Sequence, residues 1–112
     1  MSDRGIELLK AIAHPGRFAI LSALSGRERN VGEIEAASRI GQPTLSQQLG
    51  VLRKAGLVES RREAKLVYYR IDAVALEQAQ ATLAGLSAKS AARRTRDSIK
   101  RLGGAAVFAR TG

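Results

Sequence analysis

The 112-residue chain has no cysteine, no tryptophan and a single histidine. Without thiols it can build no disulfide framework, no thiolate metal site and no thiol redox switch. One histidine cannot supply a His-rich zinc site within one subunit. Carboxylates such as Asp3, Glu7, Asp72 and Glu77, without His or Cys beside them, make a poor transition-metal site. Only Phe18, Tyr68, Tyr69 and Phe108 are aromatic, so the core must come from Leu, Ile, Val and Ala. No apolar run approaches the length of a membrane span, and the N-terminus lacks the apolar segment of a signal peptide. These absences predict a soluble, cytoplasmic protein with no membrane partner. No Ser, His and acid stand at nucleophile spacing and no glycine-rich phosphate loop occurs, so neither an enzyme nor a cofactor is expected.

What the chain has in excess is positive charge. Nineteen Lys and Arg face ten Asp and Glu, a formal +9. Such a balance favours a polyanionic partner. It is uneven: residues 87–112 hold seven basic residues (Lys89, Arg93, Arg94, Arg96, Lys100, Arg101, Arg110) against Asp97 alone. Length and composition suit one modest domain, which gains by hiding apolar surface in a dimer.

Apolar spacing predicts a helix over 6–13, with Ile6, Leu9 and Ala13 on one stripe and Leu8 and Ile12 beside it. Pro15 opens a second helix over 15–25, whose apolar positions are Phe18, Leu21 and Leu24, and Gly26 ends it. A polar stretch, 27–30, leads to a short helix over 32–39, with Val31, Ile34 and Ala37 inward and Gly41 as its stop. A fourth helix runs 43–55 with Leu45, Leu49 and Leu52 as a core stripe, and Gly56 ends it. The period then changes to two. Residues 57–62 and 66–71 read as strands joined by a tight turn at 63–65. Asp72 caps a fifth helix over 73–86, whose apolar side is Ala75, Leu76, Ala79, Leu83 and Leu86. Residues 88–102 read as a basic helix that Gly103-Gly104 breaks.

Residues 31–55 thus have the order short helix, turn, longer helix, which is a helix-turn-helix. In that motif the N-terminal residues of the second helix meet base edges in the major groove. Here they are Gln42, Thr44, Ser46 and Gln47. Gln can pair with adenine, and Thr can meet a thymine methyl or a phosphate. No acid lies between Gly41 and Gly56. The helix N-terminus also offers amides and a positive dipole end to phosphate. The hairpin that follows carries Arg61, Arg62 and Lys65 near its tip, suited to a phosphate backbone or a minor groove.

The segments Ala13-His14-Pro15-Gly16-Arg17-Phe18-Ala19-Ile20-Leu21, Pro43-Thr44-Leu45-Ser46-Gln47-Gln48-Leu49 with Leu52-Arg53-Lys54-Ala55-Gly56-Leu57-Val58, and Arg62-Glu63-Ala64 with Val67-Tyr68-Tyr69-Arg70 resemble, in this order, the ArsR-type winged-helix repressors. The resemblance covers about residues 6–86. It implies a mainly α fold with a small β-hairpin, five core helices plus a two-stranded wing. It also implies a homodimer formed through the first and last helices that represses a duplex-DNA operator until a signal arrives. Gln42, Thr44, Ser46 and Gln47 fall at that family's DNA-reading positions. Gln48 stands where a His is common and Ala64 where Gly often turns the wing. The family's sensing residues are missing: Asn30-Val31-Gly32-Glu33-Ile34 replaces the segment with paired cysteines, and the fifth helix has no His. The usual inducers of the family are therefore not expected to act here, and the inducer is left open.

The expectation is a DNA-binding and dimerisation domain over 1–86, with Ile6, Leu9, Leu76, Leu83 and Leu86 at the dimer seam, and a basic extension over 87–112. Two other functions suit the same pattern: a non-specific architectural DNA-binding protein, or a winged-helix protein-interaction module.

Overall fold

A computed structural model describes residues 3–102. The order of elements is α1 (Asp3–Ile12), α2 (Pro15–Ala23), β1 (Arg29–Asn30), α3 (Val31–Ser38), α4 (Thr44–Ala55), β2 (Val58–Glu63), β3 (Leu66–Ile71) and α5 (Ala73–Leu102). This is a winged helix-turn-helix. Two compact units divide it, one ending at Gln80 and the other beginning at Ala81.

The first unit packs around one aliphatic core. Leu8, Ile20, Leu24, Ile34, Leu45, Leu52 and Leu57 are wholly buried, and among the described residues no polar or charged side chain is buried. Each such burial contributes about 1.5–3 kcal/mol relative to exposure. Two inward positions expected from the sequence turn out otherwise. Phe18 is 59% exposed, and Ile20 takes the core place on α2. Ala37 on α3 is exposed, leaving Ile34 as that helix's buried anchor. Ala75 and Ala79 close the core from α5, small enough to let that helix approach closely.

The two-stranded wing is the β2–β3 hairpin, and a short third strand joins its sheet. β1 pairs with β3, Arg29 opposite Tyr69 and Asn30 opposite Tyr68, so the sheet has three antiparallel strands in the order β1-β3-β2. The polar stretch hid this strand because two residues have no readable period. Pairing gives the outer edge of β3 partners for backbone groups that would otherwise face solvent unpaired. Arg29 Nε also donates to the Ala23 carbonyl at 2.6 Å, tying the strand to the end of α2.

Local caps set the helix boundaries. His14 caps α2: its Nδ1 accepts from the amides of Gly16 (3.0 Å) and Arg17 (3.2 Å). The lone histidine is thus a structural acceptor. Asn30 and Glu33 form a reciprocal capping box on α3. That helix ends earlier than the sequence suggests. Arg39, not Gly41, takes the left-handed conformation (φ 63°), which turns Ile40 toward the core. Gly56 ends α4 at φ 84°, a left-handed conformation that favours glycine; a Cβ there would also displace the Arg4 guanidinium, 2.7 Å away. The hairpin turn is Ala64-Lys65, with Ala64 at φ 56°.

In the second unit the helical part of the described chain is residues 81–102, the continuation of α5, which has no interruption at residue 87. Leu83 (50%) and Leu86 (66%) are exposed, as are Lys89, Arg93, Arg94 and Arg96. The expected break at Gly103-Gly104 lies outside the described residues.

Among the described residues two non-glycine positions, Arg39 and Ala64, therefore sit in left-handed backbone, which costs an L-residue roughly 1–2 kcal/mol. Arg39→Gly and Ala64→Gly should each raise stability by about 0.5–1 kcal/mol after the larger unfolded-state entropy of Gly is subtracted. Gly26 also has positive φ (78°) with open space around it, so Gly26→Ala should lower stability through backbone strain alone. Chemical denaturation of the three variants checks both signs.

Candidate nucleic-acid interface

Helix α4 has two unlike faces. Leu45, Leu49 and Leu52 are buried, and Thr44, Ser46, Gln47, Gly50, Val51 and Lys54 are exposed. A second tie fixes the helix from the side. The Arg17 guanidinium donates to the Gln48 side-chain oxygen on α4 at 2.8 Å, to the Ala11 carbonyl at 2.6 Å and to the Lys10 carbonyl at 3.4 Å. One side chain thus satisfies carbonyls at the end of α1 and locks Gln48 in place, a role with no signal in the sequence.

The four candidate reading residues fall into two pairs. The Gln42 side-chain oxygen accepts from the Ser46 amide (3.1 Å) and the Ser46 hydroxyl (2.7 Å). Gln42 therefore caps α4 and keeps its NH2 group for an outside partner. Thr44 and Gln47 are exposed, and among the described residues no hydrogen bond engages either side chain. The expectation that backbone amides here would hold phosphate meets an obstacle. The Leu45 amide donates to the Gly41 carbonyl (2.9 Å), the Gln47 amide to the Pro43 carbonyl (3.1 Å), and the Ser46 amide to Gln42. Side chains, not these three amides, are what this end of α4 presents.

The hairpin separates its basic residues by face. Cross-strand pairs Val58–Ile71, Ser60–Tyr69 and Arg62–Val67 share the core side; Glu59–Arg70, Arg61–Tyr68 and Glu63–Leu66 share the other. On that outer face Arg61 is fully engaged. It makes two bonds to the Glu28 carboxylate (2.8 and 2.7 Å) and one to Glu63 (2.6 Å), with its guanidinium 4.7 Å from the centroid of the Tyr68 ring. These hydrogen bonds hold the Glu28 carboxyl below the usual carboxylate range and raise Arg61 further above its own. Arg70 is raised in the same way by its 2.9 Å bond to Glu59. Arg62 and Lys65 are exposed, and among the described residues no ion pair or hydrogen bond holds either side chain. Of the three cations expected at the wing, the geometry leaves Arg62 and Lys65 available and commits Arg61 to the wing itself.

The residues expected at a dimer seam are similarly divided. Ile6 (45%), Leu83 and Leu86 are exposed, whereas Leu9 packs partly on the core and Leu76 is half-buried. Among the described residues no cluster of His, Cys, Asp and Glu could hold a metal ion, and no helix is long and apolar enough to cross a membrane.

Comparison with known proteins agrees with this geometry. Residues 14–60 match the family described as bacterial regulatory protein, arsR family. The chain is 58% identical over 64 residues to the biofilm growth-associated repressor of Agrobacterium fabrum, covering 57% of this chain and 55% of that protein. It thus spans little more than half the length of that curated relative. Among solved structures it resembles the transcriptional repressor BigR from Xylella fastidiosa (48% identity, TM-score 0.60), covering 68% of this chain and 79% of that one. It also resembles a homodimeric winged helix-turn-helix DNA-binding domain from Mycobacterium bovis (36% identity, TM-score 0.61), covering 74% of this chain and 79% of that one. With the fold, the order of elements and this similarity in agreement, the chain belongs to the arsR family of bacterial regulatory proteins.

Proposed function

We propose that the chain is a cytoplasmic transcription repressor that binds a duplex-DNA operator as a homodimer. The observation that carries this reading is the exposed, acid-free face of α4, held rigidly by Leu45, Leu49, Leu52 and the Arg17–Gln48 tie. Thr44 and Gln47 read base edges in the major groove, and the Gln42 NH2 group and Ser46 hydroxyl stand beside them. Arg62 and Lys65 contact phosphate from the wing, while Arg61 keeps the wing in shape through Glu28 and Glu63. Two copies meet through Ile6 and Leu9 of α1 and Leu76, Leu83 and Leu86 of α5, which together with the rest of residues 1–86 form the DNA-binding and dimerisation domain. The basic extension, residues 87–112, adds phosphate contacts that raise affinity without choosing sequence. The similar proteins named as repressors, and the homodimeric relative, support the assignment. Since no thiol and only His14 is present, soft metals and thiol oxidants do not relieve binding.

Base reading and phosphate contact separate by mutation. Gln47→Ala should cost about 1–3 kcal/mol on the operator and little on random duplex. Arg62→Ala should weaken both and reduce the salt slope by about one. Arg61→Ala should instead loosen the wing and leave that slope nearly unchanged. Titrations at several salt concentrations, on operator and random DNA, check all three; equal losses on both duplexes for Gln47→Ala would remove the reading role.

The dimer is checked by sedimentation. The wild-type chain should be dimeric at micromolar concentration. Leu83→Glu should give a folded monomer with weakened operator binding, because each half-site then binds alone. A wild-type monomer across that range would refute the seam.

A further inference from the structure

We propose that Glu28 is a positioning residue for DNA binding: it holds Arg61 against the wing and so withholds that cation from duplex phosphate. The cations of the wing divide by their surroundings. On the outer face of the β2–β3 hairpin Arg61 and Arg70 meet three carboxylates, those of Glu28, Glu59 and Glu63, at 2.6–2.9 Å. Among the described residues no ion pair holds Arg62 or Lys65. Three acids against two guanidinium groups leave the outer face with an excess of negative charge. Phosphate is therefore repelled from that face and drawn to Arg62 and Lys65.

Of the two acids on Arg61, Glu28 is the stronger partner. Its two oxygens accept from two guanidinium nitrogens, Nε at 2.8 Å and Nη2 at 2.7 Å, a two-pronged match that the single bond to Glu63 does not offer. The Glu28 side chain is 29% exposed and that of Glu63 64%, so water screens the Glu63 pair more. Glu28 is also fixed from behind. It directly precedes β1, where Arg29 lies opposite Tyr69 and donates to the Ala23 carbonyl at 2.6 Å. The short third strand thus delivers to the wing an acid from outside the hairpin. A pair that served shape alone would, on losing the carboxylate, loosen the wing and weaken binding. A pair that withholds a cation would free Arg61, next to Arg62 in the strand, and add a phosphate contact. The two roles predict opposite signs. The withholding role rests on the reading of the chain as a duplex-binding protein.

Glu28→Gln keeps the size of the side chain and removes its charge. The full chain, wild type and variants, is titrated with random duplex at several salt concentrations. Glu28→Gln should bind about threefold or more tightly at low salt, and its salt slope should steepen by about one. A fourfold rise in salt should remove about threefold of that gain. The melting midpoint should change little, since exposed pairs contribute little to stability. Glu28→Gln combined with Arg61→Ala should show no gain and match Arg61→Ala alone. In the free protein, NMR should show the Arg61 Nε proton exchanging slowly in the wild type and faster in Glu28→Gln. Weaker binding by Glu28→Gln at an unchanged slope would make Glu28 a structural support and overturn the proposal. So would a gain that persists without Arg61, which would reflect only the loss of a negative charge. Equal exchange of the Arg61 proton in both proteins would remove the pair itself. A wild-type chain that binds no duplex at any salt would refute the operator reading together with this role. Duplex binding with an unaltered slope in Glu28→Gln would refute this role alone.

Discussion

The structure depends on how three leucines of α4 enter the core. Leu45, Leu49 and Leu52 recur at the helical period and are buried against an interior built from Leu, Ile, Val and Ala alone. Such packing is dense and intolerant of rotation, because turning the helix would expose these side chains and bury polar ones. The exposed face of α4 is therefore fixed by the buried one. The polar side chains near its N-terminal end, Thr44 and Gln47, inherit their orientation from residues that never meet solvent.

Polar ties refine what the core sets coarsely. Arg17 joins the end of α1 to Gln48, Gln42 closes the first turn of α4 through Ser46, and His14 closes the first turn of α2. Each sits where a helix terminus leaves amides or carbonyls without partners, so each removes a cost as well as adding a bond. On the wing the pattern differs. Arg61 is surrounded by Glu28, Glu63 and Tyr68 on an exposed surface. Pairs of this kind contribute little to global stability, since water and salt screen them. Their consequence is positional: they take one cation out of the set facing outward and leave Arg62 and Lys65.

Much of this was legible in the sequence. The helical spacing of Leu45, Leu49 and Leu52, the change to period two after Gly56, and the basic hairpin tip follow from side-chain polarity and backbone period, which are local properties. The absence of cysteine likewise excluded thiol chemistry before any fold was known. What the sequence left open depends on groups distant along the chain. β1 is two residues long and exists because β3 has an edge to pair; Phe18 yields its core place to Ile20 because α2 is oriented by its neighbours. The sequence does not show that the Gln42 oxygen meets Ser46, or that Glu28, 33 residues away, reaches Arg61. Periodicity therefore determined which elements form and which faces are apolar. Only the tertiary structure decided which polar side chains remain available, because a hydrogen bond depends on where its partner lies in space and not on residue type.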